Sequence, residues 1–273
     1  MRALSVLAFA FLVCPGCDVR VSDKGAVHVD MVNGKASDEW KRTYTLPKGG
    51  RIEIVNDNGP IEVGLSGGAS VDVRATREAR SDSDEAAGAL LRRVKMIEQV
   101  MPDRVHIEAQ ISRGDAPGGF SGPFTRRPSF GVSYRVLLPS GLSATFRTEN
   151  GQIRLDNVDG RVEVATTNGN ISGRAVSGSL TASTVNGAVQ MGLDTIRGDV
   201  DITAVNGGIR VELPRSVDAQ LDAGTINGGV RVDDELPLDA TVRDRLRVVG
   251  RINQGGPRLA LHTTNGGVRV GVR

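Results

Sequence analysis

The chain has 273 residues, with 34 Lys+Arg against 32 Asp+Glu, 35 glycines and 3% aromatic residues. Nearly balanced charge and 39% hydrophobic content exclude a disordered polyelectrolyte. The glycines keep no three-residue period, which excludes collagen, and nothing in the sequence requires the basic stripe of a nucleic-acid binder.

Met1-Arg2 precedes an uncharged apolar run, Ala3 to Val13, which ends at Cys14-Pro15-Gly16-Cys17-Asp18. One basic residue, a short apolar stretch and small residues are the layout of a secretory signal. The run is too short for a membrane span, which takes about 20 residues. Gly16-Cys17 resembles the lipobox of bacterial lipoproteins, although Cys14 stands where that motif prefers Leu and Pro15 is unusual there. The resemblance implies a signal peptide over 1–16 and lipidation of Cys17, hence an exported protein held in the cell envelope. Plain cleaved secretion and a retained anchor are the other readings of this segment. Cys14 and Cys17 are the only cysteines, so the folded part has neither disulfide nor thiol chemistry. Residues 17–39 read as a tether.

A first coil over Ile52 to Val63 carries Asn58-Gly59 at its turn. Ser81-Asp82-Ser83-Asp84 then offers N-cap chemistry, and Ala86, Leu90, Val94, Ile97 and Met101 follow at helical spacing before Pro102. This predicts one amphipathic helix over about 84–101, its stripe packed on the body. Val105–Ala109 and Val132–Val136 alternate as strands. Between them, 114–131 reads as an irregular Gly/Pro-rich loop holding Phe120, Phe124, Arg126, Arg127 and Phe130. Apolar rings beside cations in a loop make a candidate contact for lipid, peptide or a partner protein. The plainer reading folds those rings back onto the body.

Asn-Gly recurs at Asn58, Asn150, Asn168, Asn186, Asn206, Asn227 and Asn265, with spacings from Asn150 of 18, 18, 20, 21 and 38 residues. Six before each Asn stand Ile52, Ala144, Val162, Leu180, Val200, Leu221 and Leu259. Four before stand Ile54, Phe146, Val164, Ala182, Ile202, Ala223 and Leu261, and three after stand Ile61, Ile153, Ile171, Val189, Ile209, Val230 and Val268. All twenty-one are apolar with mostly polar or charged residues between them, the period of two that marks half-buried strands. Asp159-Gly160, Ser177-Gly178 and Arg197-Gly198 mark a second turn. Asn and Gly tolerate the positive φ of tight turns. The same dipeptide serves simple hairpins, but a regular period with recurring columns favours an all-β repeat solenoid. Its coils hold 18–21 residues each, stacked about 4.8 Å apart. Because 234–247 departs from the repeat, the last coil is expected to carry an insertion, and both end coils to present free edges.

Thr148, Thr166, Thr184, Thr225 and Thr263 stand two before the Asn, with Ala204 as the exception. Stacked Asn and Thr columns point to side-chain ladders. Metal binding by repeated oxygens would need a Gly-Gly-x-Gly-x-Asp pattern, which is absent. Four after the Asn stand Arg154, Arg210, Arg231 and Arg269, with Asp156, Glu212 and Asp233 two further on, on the same outward face. Such a face meets anionic lipid or polysaccharide, or is a solvated surface whose acids neutralise the bases.

Catalysis has little to stand on. His28, His106 and His262 form no ligand pair, and the serine-elbow, Walker and dinucleotide motifs are missing. No metal or cofactor is expected.

Leu46-Pro47-Lys48-Gly49-Gly50, the coil Ile52–Val63, the helix and Tyr134-Arg135-Val136-Leu137-Leu138-Pro139 together resemble the bacterial putative-adhesin family. Thr148-Glu149-Asn150-Gly151-Gln152-Ile153 and Thr263-Thr264-Asn265-Gly266-Gly267-Val268 continue the match, which covers about 40–273 as one domain. The resemblance implies an Asn-Gly repeat solenoid on an envelope protein and supplies no catalytic residues. The function expected is non-catalytic binding or scaffolding, anchored to the membrane by lipid, with a surface polymer, peptide or membrane protein as partner and no nucleic acid. The alternative is an accessory sensor of envelope stress.

Overall fold

The structure is a computed structural model that describes residues 17–21, 27–31, 34–111 and 128–273. It is mostly β, with one short helix and a strongly curled sheet. A small antiparallel hairpin, β1 (Cys17–Val21) with β2 (Val27–Met31), stands apart from a single sheet of nineteen strands. In chain order that sheet begins with β3 (Gly34–Tyr44), β4 (Arg51–Asn58), β5 (Ile61–Leu65) and β6 (Val71–Ser81). After helix α1 (Asp84–Arg93) come β7 (Val94–Val100), β8 (Arg104–Ile111) and β9 (Ser129–Leu138). The repeats follow as β10 (Ser143–Asn150), β11 (Ile153–Asp156), β12 (Asp159–Asn168), β13 (Ile171–Asn186), β14 (Val189–Asn206) and β15 (Ile209–Leu213). The chain closes with β16 (Ala219–Asn227), β17 (Val230–Val232), β18 (Leu238–Arg243), β19 (Arg247–Ile252), β20 (Arg258–Asn265) and β21 (Val268–Val272).

Each Asn-Gly dipeptide joins a leading arm to a trailing arm, and successive arms lie parallel and in register. The leading arms run β4, β10, β12, β13, β14, β20, β16, and each Asn pairs with the next, from Asn58 with Asn150 to Asn265 with Asn227. The trailing arms run β5, β11, β13, β14, β15, β21, β17. All twenty-one apolar column residues face inward and are at most 9% exposed. A column of this kind is buried only because the neighbouring coil covers it, since one coil has no second layer. Both β13 and β14 pass through the second corner unbroken, with Ala175 taking a left-handed φ of 53° there.

The order of the coils differs from the order of the sequence. Asn265 stacks between Asn206 and Asn227 because β20 slots between β14 and β16. The stretch 234–247 is the return path: β18 and β19 form a hairpin, and β19 lies antiparallel along the outer edge of β16. The leading arm of the last coil is therefore covered, whereas its trailing arm β17 pairs only with β21 and keeps an open edge. At the other end β7 and β8 cover β4, while β9, β6 and β3 cover β5. A parallel edge with unpaired backbone groups is costly to leave open, and added strands satisfy it on β4, β5 and β16.

Three expected boundaries move. The helix stops at Arg93 rather than near 101, and it buries Ala87 and Leu91 rather than Ala86 and Leu90. Val94 to Val100 instead forms β7, paired antiparallel with β8 from Val94–Ile111 to Val100–Val105. Alternating and helical spacings both fit the apolar residues there, and a free strand edge at β8 decides for the strand. Ser83 caps α1 as read, its hydroxyl accepting the Ala86 amide at 3.2 Å. The stretch read as tether holds β1 and β2, and pairing in the large sheet begins within it at Gly34, because β6 offers β3 a partner along its whole length. Phe130 and Gly131 belong to β9 rather than to the loop, and Phe130 packs on the core opposite Ala79.

Candidate functional site

At every turn the Asn side chain points along the stack. Asn150 donates to Asn58 at 3.0 Å, Asn168 to Asn150 and Asn186 to Asn168 at 2.9 Å. Asn206 donates to Asn186 and Asn265 to Asn206 at 2.9 Å, and Asn227 closes the series on Asn265 at 2.8 Å. Such amide ladders pair identical residues at the strand spacing. The threonines do not form a ladder of their own. Each hydroxyl donates to a glycine carbonyl of the adjacent coil: Thr148 to Gly59, Thr166 to Gly151, Thr184 to Gly169, Thr225 to Gly266 and Thr263 to Gly207, at 2.7–3.1 Å. In the first coil Asn56 takes the threonine position and donates to Gly59 at 3.0 Å and to Val132 at 2.9 Å. The position two before Asn58 already carried that signal.

The turn glycines are required by stacking more than by φ. Gly151, Gly169, Gly187 and Gly207 have no left-handed φ, yet a Cβ on any of them would lie 1.8–2.1 Å from the glycine carbonyl oxygen of the adjoining coil. The Asn-Gly pair thus lets the coils approach closely and ties them together.

With the register fixed, the outward positions four after each Asn line up across ten strands. From β3 to β17 the row reads Lys41, Arg74, Arg135, Glu62, Arg154, Ser172, Gln190, Arg210, Arg269, Arg231. Seven of these ten are basic and one is acidic. Arg154, Arg210, Arg231 and Arg269 were legible from the repeat. Lys41, Arg74 and Arg135 were not, because strands outside the repeat bring them into line, β9 lying parallel to β5 and β6 and β3 following antiparallel.

The acids neutralise this row only at its first half. Lys41 pairs with Glu39 at 2.7 Å and Arg135 with Glu62 at 3.0 Å. Asp156 turns to Arg174, whose guanidinium hydrogen-bonds both its oxygens at 3.1 Å and holds the carboxyl below the usual range. The side chains of Arg210, Arg269 and Arg231 have no hydrogen bond or ion pair among the described residues. Three like charges directly opposite one another oppose folding by about 0.2–1 kcal/mol per pair, so the stack carries them at a cost. Beside them, toward the turns, the flanking positions are small: Ala188, Gly208, Gly267 and Gly229. Together they form an open groove of about 480 Å³.

Most of the other expected site residues fall outside what the structure describes. Phe120, Phe124, Arg126 and Arg127 lie outside the described residues, and so does the signal segment 1–16; of Cys17 only its place in β1 is described. His106 sits 3.2 Å from Glu53 and 3.8 Å from Glu108, and His262 is 3.9 Å from Asp222. Among the described residues no three His, Cys, Asp or Glu side chains are grouped to hold a metal ion. No helix among them is long and apolar enough to cross a membrane.

Parallel coils joined at Asn-Gly corners, an amide ladder and hairpins over both ends define a repeat-like β protein whose outward surface is built from columns. The chain belongs to the Toastrack DUF4097 family, whose model matches residues 44–271. This agrees with the resemblance to putative adhesins read from the repeats.

Among solved structures it is similar to a putative cell adhesion protein from Clostridium sporogenes, at 12% identity over 87% of this chain and 100% of that one, TM-score 0.47. A putative adhesin from Bacteroides fragilis is 10% identical over 86% and 97%, TM-score 0.28. A putative lipid binding protein from Parabacteroides distasonis is 14% identical over 86% and 97%, TM-score 0.30. No curated protein matches the chain.

Proposed function

We propose that this protein is a non-catalytic, lipid-anchored component of the cell envelope whose β-solenoid serves binding or scaffolding. The observation that carries the reading is the register of the stack. Identical corners tie identical coils, so each outward position becomes a continuous column, a surface suited to extended partners rather than to a reaction centre. Family membership supports the adhesin-like description, and Gly16-Cys17 supports the anchor.

The test compares the native protein with a Cys17→Ser variant by intact mass and membrane fractionation. The expected wild type carries acyl mass on Cys17 and sediments with membranes, and the variant is soluble. An unmodified wild type released to the medium or periplasm overturns the anchored reading.

A further inference from the structure

We propose that the basic row is a binding track for a linear acidic polysaccharide, with Arg210, Arg269 and Arg231 as its strongest segment. The proposal narrows the binding role above to one partner class and one surface.

The geometry favours a polymer over a small anion. Neighbouring strands are spaced by about 4.8 Å, so the row from Lys41 to Arg231 is roughly 43 Å long. Charges repeated at the strand spacing match a chain of repeated charges, each added pair raising the local concentration for the next. Guanidinium forks match carboxylates bidentately, and none of the three guanidiniums is ion-paired among the described residues, although Glu212 and Asp233 stand two positions further along the same face.

The neighbours of the row choose the polymer. Gly208, Gly267 and Gly229 bring the surface down to the backbone beside the triad, leaving room for a chain to lie flat. The exposed amide of Gln190 lies within the row next to Arg210, and that of Gln152 flanks Arg154, both suited to sugar hydroxyls. The row carries no aromatic side chain, so nucleobases find no stacking platform. It carries no large apolar side chain either, so a bilayer gains no inserted anchor there.

The full chain is titrated with oligogalacturonates of graded length, at low and at physiological salt. Wild type is compared with R210S/R231S/R269S and with the charge-matched control R51S/R161S/R258S, whose residues lie on the leading arms. Circular dichroism checks that both variants are folded. Single-stranded DNA and phosphatidylglycerol vesicles serve as competing probes.

The expected result is a loss of at least tenfold for the triad variant and less than twofold for the control. Affinity should also rise with oligomer length until the chain spans the row, and salt dependence should flatten in the triad variant. Equal losses in both variants, absence of length dependence, or tighter binding of DNA or vesicles than of oligogalacturonate overturns the proposal. A protein that ignores the polymer yet sediments with membranes through Cys17 refutes this track and leaves the anchored reading standing.

Discussion

Gly169→Ala tests whether close stacking explains the turn glycines. The added Cβ would meet the Gly151 oxygen at 2.0 Å and its carbonyl carbon at 2.6 Å, where real contacts are not shorter than 3.0 Å. The two coils must therefore separate locally by about 1 Å, the difference between those distances. Across that gap run the Gly151 amide to the Asn168 carbonyl at 3.1 Å, Thr166 to Gly151 at 2.9 Å and Asn168 to Asn150 at 2.9 Å. Overpacking costs about 1–3 kcal/mol and each of the three bonds, if lost, adds about 0.5–1.5 kcal/mol, so a loss between about 2.5 and 7.5 kcal/mol is expected. Urea unfolding at constant slope reads it directly. Two glycines calibrate the result. Gly49 has a φ of 79° with nothing within 4 Å of its Cβ position, so Gly49→Ala isolates left-handed strain of about 1–2 kcal/mol. Gly67 has neither feature, and Gly67→Ala should be close to neutral. If Gly169→Ala costs no more than Gly49→Ala, contact between coils is not the reason for glycine at the turn.

Two further outcomes follow from the same structure. Thr184→Val keeps the shape of a buried side chain but leaves the Gly169 carbonyl, now bonded at 3.0 Å, without that hydroxyl; unfolding should show a loss of about 1–3 kcal/mol, and an unchanged midpoint would refute the role given to the threonine column. Glu78 on β6 is held below the usual carboxylate range by Lys35 and Arg80, at 2.9 and 2.7 Å. A lowered folded-state pKa means stability that is present above the unfolded value and lost as pH falls through the folded one. Glu78→Gln should therefore cost up to about 1 kcal/mol at neutral pH and nothing in acid below the folded pKa; a penalty independent of pH would contradict the pairing.

Much of the inside of this protein was legible from the chain alone. The period of two on either side of each Asn assigned the twenty-one inward residues, and all of them are buried. The Asn column became a ladder and Ser83 became a cap, because both depend on nearest neighbours along the repeat or the helix. What tertiary structure decided was who sits beside whom. A coil has the same local pattern whichever coil covers it, so nothing local places Asn265 between Asn206 and Asn227; that order comes from satisfying the strand edges at the end of the stack. The same holds for Val94 to Val100, whose spacing fits helix and strand alike until β8 offers an edge. It holds most for the basic row. Four of its arginines recur in the repeat, but Lys41, Arg74 and Arg135 join them only through pairings between strands distant in sequence. Burial is written into each coil by its alternation, whereas the outward surface exists only once the register between strands is set.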